Sequence, residues 1–368
     1  MITAARAIVE EVLATREGAQ DLRVSVDGAP ARAISYRALI HDLSPGDEVL
    51  VNTTAVDLGL GTGGCHIVIA SLSQPDGRVG DGPGHIMKLR YTPHQHAVLS
   101  LEEEGSPHRA AIQGFQSLHG FPIILGSLHS HVAPVAIAIK TLLGPTCRIA
   151  YIMTDPAALA IGFSRLVSSL RERALLDLTI TSGQAFGGDY EAVNPYTAII
   201  AAREAFAADA VIVCQGPGNV GTGTPYGFGG IEQGALINAV GVLGGTPISV
   251  LRISFAEARD RHTGISHHSL TSIGRVALSP ALVPIPILDS NRMAQVTAQL
   301  EHAGIPGRLH SVELVDCAPI LSALDEHKDL LRSMGRSYDE DREFFYAGAA
   351  AGIVASQRRA DLAPSGAQ

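Results

Sequence analysis

The chain has 368 residues, of which 46% are hydrophobic and 17% charged, enough for a large buried core and a composition unlike that of disordered chains. Lysine and arginine number 27 against 36 aspartates and glutamates, a net charge of −9 with no basic run. That argues against nucleic acid or a membrane surface as partner, because phosphate binding needs clustered positive charge.

Four scattered cysteines, Cys65, Cys147, Cys214 and Cys317, with no Cys-x-x-Cys, fit a cytoplasmic protein with reduced, buried thiols. The first fifteen residues carry Arg6, Glu10 and Glu11 inside their apolar pattern, unlike a signal peptide. The uncharged run 233–251 is long enough for a membrane span. Gly244-Gly245-Thr246-Pro247 in its middle reads instead as a turn between a buried helix and a buried strand.

Residues 5–72 read as β structure. Short Val- and Ile-rich runs at 6–14, 22–26, 31–36, 48–52 and 66–70 are separated by the turn signals Asp27-Gly28 and Ser44-Pro45-Gly46-Asp47. Five short strands suggest a small barrel or sandwich over 1–80, with a structural or oligomerising role. A Gly-, Pro- and Asp-rich linker at 75–84 opens a connection over 81–120. In it, 85–91 reads as another strand, and Thr92-Pro93 as a helix start with proline in the first turn.

From Phe121 the rhythm changes. Apolar runs of strand length recur at 122–125, 148–153, 178–181, 210–214, 247–251, 282–287 and 309–315. Helix-length segments lie between them at 132–143, 157–174, 191–206, 231–243, 267–278 and 290–303. Strands apolar throughout, alternating with helices, imply a parallel sheet covered on both faces. Seven such units favour an open, doubly wound, Rossmann-like α/β sheet over an eight-fold barrel, as the ligand-binding domain 121–335. Residues 336–368 read as a final helix over 339–357 and a frayed tail from Arg358. The helix partner is either the barrel or another copy of the chain.

In open α/β sheets ligands sit beyond the carboxyl ends of the strands. One segment there stands out. An apolar strand, 210–214, runs into a loop with eight glycines between Gly216 and Gly234, followed by a helical pattern. Glycines let backbone N–H groups approach a ligand, and a helix N-terminus behind them attracts anions. In that reading Gly216, Gly218, Gly221, Thr222, Gly223 and Thr224 present donors to an anion. A tight strand-to-helix crossover would need the same glycines, and the spacing meets no named nucleotide motif.

Arg252 stands directly after a strand, where its guanidinium could clamp the anion. Arg259 and Arg261 follow in the same loop, where Glu257 and Asp260 also fit a solvated face. Gln184 and Asp189 have a similar address, although Asp189 reads better as the cap of the next helix with Glu191 in its first turn. Five of the fifteen histidines fall at this edge, in His129-x-His131 and in Arg261-His262…His267-His268. One reading makes His129, His267 or His268 a general acid or base near neutral pH, with Asp155 as a further catalytic group. Another makes His129, His131 and His267, with Asp155, the ligands of a divalent metal such as zinc, manganese or iron. A third has these histidines capping helices or satisfied within loops. Cys214 and Cys317 read as inert core thiols, and there is no Gly-x-Ser-x-Gly elbow.

Several strings taken together carry a resemblance. They are Asn52-Thr-Thr-Ala-Val…Gly64, Gly82-Pro-Gly-His-Ile-Met-Lys-Leu-Arg-Tyr-Thr-Pro93, Tyr151-Ile-Met-Thr-Asp155 and Ala185-Phe-Gly-Gly-Asp189. Gly221-Thr-Gly-Thr, Gly229-Gly-Ile-Glu-Gln-Gly234 and Arg252-Ile-Ser-Phe-Ala…His268 complete the set. The chain resembles, over roughly residues 6–335, an uncharacterised bacterial family known as domain of unknown function 3866. The resemblance implies a cytoplasmic protein of about this length and brings no activity, ligand or catalytic residue.

The leading expectation from the residues is an enzyme acting on a small anionic metabolite, phosphorylated or nucleotide-like. A metal-dependent hydrolase and a non-catalytic metabolite sensor are the alternatives. A homo-oligomer is left open.

Overall fold

The computed structural model describes residues 2–61, 63–75, 79, 83–307 and 309–362. Thr62 and Gly82 of the strings above, most of the 75–84 linker, and the tail beyond Leu362 lie outside them. The chain opens with strands β1 (Ala4–Thr15), β2 (Ala19–Val26), β3 (Ala29–Tyr36), β4 (Glu48–Asn52) and, after the short helix α1 (Thr54–Asp57), β5 (Cys65–Ser71). They close a barrel in the order β1-β2-β3-β5-β4, with β3 and β5 parallel. This is a small closed five-stranded barrel.

Alternation fills the barrel: Val9, Leu22, Val24, Val49, Val51 and Val68 point inward and are buried. Asp27 and Gly28 both hold positive φ, 49° and 78°, which a two-residue hairpin between paired Val26 and Ala29 requires.

Strands β6 (Ile86–Lys88) and β7 (His96–Val98) form a hairpin, so the helix expected from Thr92-Pro93 is not there. Gln95 N donates to Thr92 O at 3.1 Å, a four-residue turn with Pro93 at its second position. Proline's fixed φ suits that position as well as it suits a first helical turn. Helix α2 (Arg109–Gln113) then leads to the main sheet.

That sheet has eight strands. After β8 (Pro122–Leu125) and helix α3 (Val132–Leu143) come β9 (Ile149–Thr154), α4 (Arg165–Glu172), β10 (Leu178–Ser182) and β11 (Tyr190–Ala192). Helix α5 (Pro195–Glu204), β12 (Ala210–Gln215), α6 (Glu232–Val242) and β13 (Thr246–Ser249) follow. A small ladder of β14 (Ile253–Ser254) and β15 (Gly264–Ile265) precedes α7 (His267–Thr271). The chain continues through β16 (Leu282–Pro286), α8 (Ser290–His302), β17 (Ser311–Val315) and α9 (Leu321–Glu326). It ends with the hairpin β18 (Arg332–Ser333) and β19 (Arg336–Ser337) and helix α10 (Arg342–Asp361). The sheet order is β11-β10-β9-β12-β8-β13-β16-β17, parallel throughout.

Each strand residue faces one of two cores. Ile124, Tyr151, Ile212 and Ile248 pack under α3, α9 and α10, while Ile123, Ile152, Val211 and Ile285 pack under α5, α6 and α8. The sheet is therefore doubly wound, the Rossmann-like α/β architecture expected. The order locates its reversal. From β8 the chain moves to β9 and outward; from β12 it crosses back over β8 to β13. The loops leaving the adjacent strands β8 and β12 thus diverge to opposite faces and open a crevice between them, the usual place for a ligand in such sheets.

Several helices differ from their sequence reading. The 157–174 segment is helical only from Arg165, with Ser164 Oγ accepting from Val167 N as cap. Ahead of it the chain makes only a short 3-10 turn at Ile161–Phe163, whose Gly162 lies against the Gly18 backbone of the barrel. The 267–278 helix is α only to Thr271 and continues as a π turn over Ser272–Val276. Strand β11 went unrecognised, and α5 begins at Pro195 because Asn194 Oδ1 accepts from Tyr196 N and Thr197 N. Asp189 is therefore not its cap. The last helix packs on α3 of the same chain, Gly348 against Pro134 and Gly352 against the Val135 carbonyl. It stays helical through Asp361, so the chain does not fray at Arg358.

Candidate functional site

A cavity of about 570 Å³ opens at the crevice between β8 and β12. Leu166 of α4 and four further chain segments build its wall. The β8 loop contributes Leu128, His129 and Ser130; the β12 loop contributes Gly216 to Gly221 and Gly223; the β13 loop contributes Arg252, Arg259, Arg261, His262 and His268; and the β18 hairpin adds Arg332, Ser333 and Met334.

The glycine loop is a folded finger. Gly221 bridges Phe228, Thr222 N donates to Gly227 O at 2.8 Å, and Asn219 Oδ1 accepts from Gly230 N at 3.0 Å. At Gly216 a Cβ would stand 2.6 Å from the Ala158 carbonyl, and Gly218 holds φ at +94°, so both positions demand glycine. Thr222 Oγ1 donates to Gly227 O, and Thr224 Oγ1 accepts from Gly227 N. Both hydroxyls are engaged inside the finger and neither threonine lines the cavity, so they are not the anion donors the sequence suggested. Gly216, Gly218, Gly221 and Gly223 do line it.

Charge is lopsided here. No carboxylate is in the wall among the described residues, against four arginines. Glu257 lies behind it and is shared by Arg252 at 3.2 Å and Arg259 at 2.8 Å, with Arg336 at 3.7 Å. Arg336 has a closer partner in buried Asp341, at 2.9 Å. Hydrogen bonds from Arg259 hold the Glu257 carboxyl down at about 2, so it stays ionised. Arg252 is 4% exposed, its Nε has no partner, and burial lowers its guanidinium to about 10. It remains charged at neutral pH.

The histidines divide into two groups. His129 Nδ1 lies 3.0 Å from Tyr151 Oη, and its Nε2 lies 2.6 Å from Ser164 Oγ. Tyr151 Oη already donates to the Cys214 and Gln215 carbonyls, so the proton on that contact belongs to His129 Nδ1, and Nε2 accepts from Ser164. Both nitrogens are committed, and burial pushes the ring down to about 4. His131 points away from the cavity and stacks on Phe344 with ring centroids 4.7 Å apart. Burial, and then the Arg252 charge, push it to about 3.

His262, His267 and His268 form the second group. Their candidate ligand atoms all lie within 4.8 Å of one another. His262 Nδ1 is 2.7 Å from Ser266 Oγ, which also caps α7 by accepting from His268 N. His268 lies flat on Phe228, with centroids 3.8 Å apart and 5° between planes. Burial drives His262 and His268 to about 3, with Arg252 the next cause for His262 and His267 for His268. These rings are neutral imidazoles at physiological pH, suited to accepting a hydrogen bond or ligating a metal and unsuited to acting as acids. Neither His129 nor His131 belongs to the cluster, so the ligand set His129, His131 and His267 is not assembled.

The other sequence candidates do different work. Asp155 Oδ2 accepts from Gln184 N at 2.8 Å, and Gln184 Oε1 accepts from Arg90 N, tying the β9 and β10 loops to the hairpin that precedes the sheet. Asp189 accepts from Thr179 N and pairs with Arg171. None of the three lines the cavity. Sequence reasoning passed over Arg259 and Arg261 because acidic neighbours suggested a solvated face. Arg332 and Met334 carry no local signal at all, since they reach the cavity only through the fold.

Barrel, doubly wound sheet and cationic cavity at the reversal point define an α/β protein with a glycine-fingered cavity at the carboxyl edge of its sheet. The chain belongs to the family described as protein of unknown function DUF3866, whose model matches residues 32–352, from within β3 to within α10. No curated protein and no solved structure matches the chain.

Proposed function

We propose that the cavity binds a small anionic metabolite, phosphorylated or nucleotide-like, and that the protein is an enzyme acting on it. The observation that carries this reading is the four-arginine wall without a carboxylate, set at the reversal point of a doubly wound sheet. Guanidinium forks match phosphate and carboxylate oxygens, and the glycine finger leaves space for a ligand against backbone. A volume of about 570 Å³ suits a metabolite rather than a polymer.

One observation favours a second reading, a non-catalytic sensor. His129 has both nitrogens committed, and His262 and His268, which also line the cavity, are held neutral by burial and unsuited to acting as acids. Turnover on any bound compound separates the enzyme from the sensor.

The binding claim is tested by thermal shift against inorganic phosphate, nucleotides, sugar phosphates and carboxylates. A ligand at a hundred times its dissociation constant adds about 2.7 kcal/mol, a shift of a few degrees. Arg261 is exposed, so Arg261→Ala folds normally and weakens binding about tenfold or more, the cost of a charged hydrogen bond. A panel with no shift, or shifts unchanged in both Arg261→Ala and Arg252→Met, overturns the proposal.

A further inference from the structure

We infer that His262, His267 and His268 form a three-histidine site for a divalent transition metal, with its open coordination position facing the arginine-walled cavity. Three features converge. The candidate ligand atoms lie within 4.8 Å of one another, and the ring centroids stand 4.3 to 5.0 Å apart. A tetrahedral ion at about 2.1 Å from each nitrogen sets them about 3.4 Å apart, so the atoms need to close by up to about 1.4 Å, within the range of side-chain rotation. His267 Nε2 is buried without a partner.

The surroundings orient the rings. The contact between His262 Nδ1 and Ser266 Oγ leaves Nε2 as the ligating atom, the usual arrangement around a bound metal. His268 is clamped face to face on Phe228, and a Cβ placed on Gly221 would lie 3.5 Å from its Cε1. The glycine finger therefore lies directly over the cluster. His262 and His268 both line the cavity, so a ligand held by the arginines is within reach of the metal.

Imidazole-only ligation suits zinc, cobalt, nickel or iron better than magnesium or calcium. Three neutral imidazoles add no negative charge, and Arg252, Arg259 and Arg261 stand nearby. A bare dication is disfavoured there, and an anion is the natural fourth ligand. Metal and anion therefore bind cooperatively; this part rests on the anion reading above, while the metal site does not.

The test uses the full chain, freed of metal by chelation and titrated with Co²⁺ alone and with inorganic phosphate. The expected result is about one equivalent of Co²⁺ with the visible absorption of a four- or five-coordinate nitrogen site, its affinity raised at least tenfold by phosphate. His267→Ala and His262→Ala abolish the absorption. Ser266→Ala weakens Co²⁺ binding roughly ten- to hundredfold through the lost partner of His262. Exposed His302→Ala leaves binding intact, and circular dichroism checks that each variant folds. No stoichiometric binding of Co²⁺ or Zn²⁺ with or without phosphate, or binding unchanged in His262→Ala and His267→Ala, overturns the metal site. If that happens while phosphate still shifts the melting of the wild type and not of Arg252→Met, the anion reading survives alone. Stoichiometric Co²⁺ lost in His267→Ala, with no response to phosphate in either assay, leaves the metal site standing and removes the anion reading.

Discussion

Replacing His131 by leucine should stabilise the protein selectively in acid. The ring stacks on Phe344, is 1% exposed, and has no hydrogen-bond partner at either nitrogen. In the unfolded chain it takes a proton near the ordinary value of 6.5; in the fold, burial holds it to about 3. Between those values the unfolded state binds the extra proton, so the neutral ring favours folding fully above 6.5, and that contribution is lost as pH falls toward 3.

Each pH unit is worth about 1.4 kcal/mol, so by pH 4.5, two units below 6.5, the wild type has lost roughly 3 kcal/mol at this residue. Leucine cannot titrate and has a similar volume. The wild-type chain alone is a poor readout, because burial pushes Glu232 up to about 7 and its protonation favours the fold over much of the same range. In the difference between wild type and variant, Glu232 cancels.

Urea unfolding followed by circular dichroism, since the chain has no tryptophan, gives that difference at pH 7.5, 6.0 and 4.5. Whatever the offset at pH 7.5, the gap should move by roughly 3 kcal/mol in favour of His131→Leu at pH 4.5. A gap independent of pH would falsify the claim that the fold holds this ring neutral.

Two further outcomes follow from buried contacts. Lys88 is fully buried and donates to the carbonyls of Gly183, Ala185 and Ala192 while pairing with Glu191 at 3.2 Å, which pins the β6–β7 hairpin to the sheet edge. Lys88→Met should cost about 3–5 kcal/mol by leaving the buried Glu191 charge without its cation and three carbonyls without this donor, and adding Glu191→Gln should recover part of it. An unchanged melting midpoint in the single variant would refute that role. At the junction of barrel and sheet, a Cβ on Gly162 would stand 2.4 Å from the Gly18 carbonyl oxygen. Gly162→Ala should cost about 1–3 kcal/mol and split a single melting transition into two as the barrel loosens; one transition at the wild-type midpoint would show that the contact yields freely.

The fold was legible where one physical cause dominated. Residues 149–153 are mostly apolar and, with Thr154, all buried because the strand is covered on both faces, and the barrel strands betray themselves by alternation and by Asp27-Gly28. Where two causes share one signal, local reading failed. Thr92-Pro93 fits a β-turn as well as a helix start. Tyr190–Ala192 is too short for a period, and its charged Glu191 is paired with Lys88 from far away in the chain. The site was legible by address but not by membership. Loops after β8, β12 and β13 meet because those strands are neighbours, which no sequence spacing shows. Asp155, Gln184 and Asp189 have the same kind of address but follow β9 and β10, further toward the edge, where they brace loops instead.

The same distinction resolves an apparent conflict over charge. A net charge of −9 and the lack of a basic run argued against phosphate polymers, yet the cavity wall is cationic. Its arginines come from two segments some seventy residues apart, 252–261 and 332, so their clustering exists only in three dimensions. The two charge scales act at different distances. With charge screened beyond a Debye length of about 8 Å, a polyanion lying along the surface is repelled by the carboxylates it lies against, whereas a small anion that enters the crevice meets concentrated positive charge in a partly desolvated pocket. Added salt should therefore weaken binding of a small phosphate compound by screening the arginines, and raise, if anything, the residual affinity for a long polyanion. A polyanion that binds tightly and competes with inorganic phosphate at low salt would show that the cavity wall, and not the acidic surface, governs what approaches.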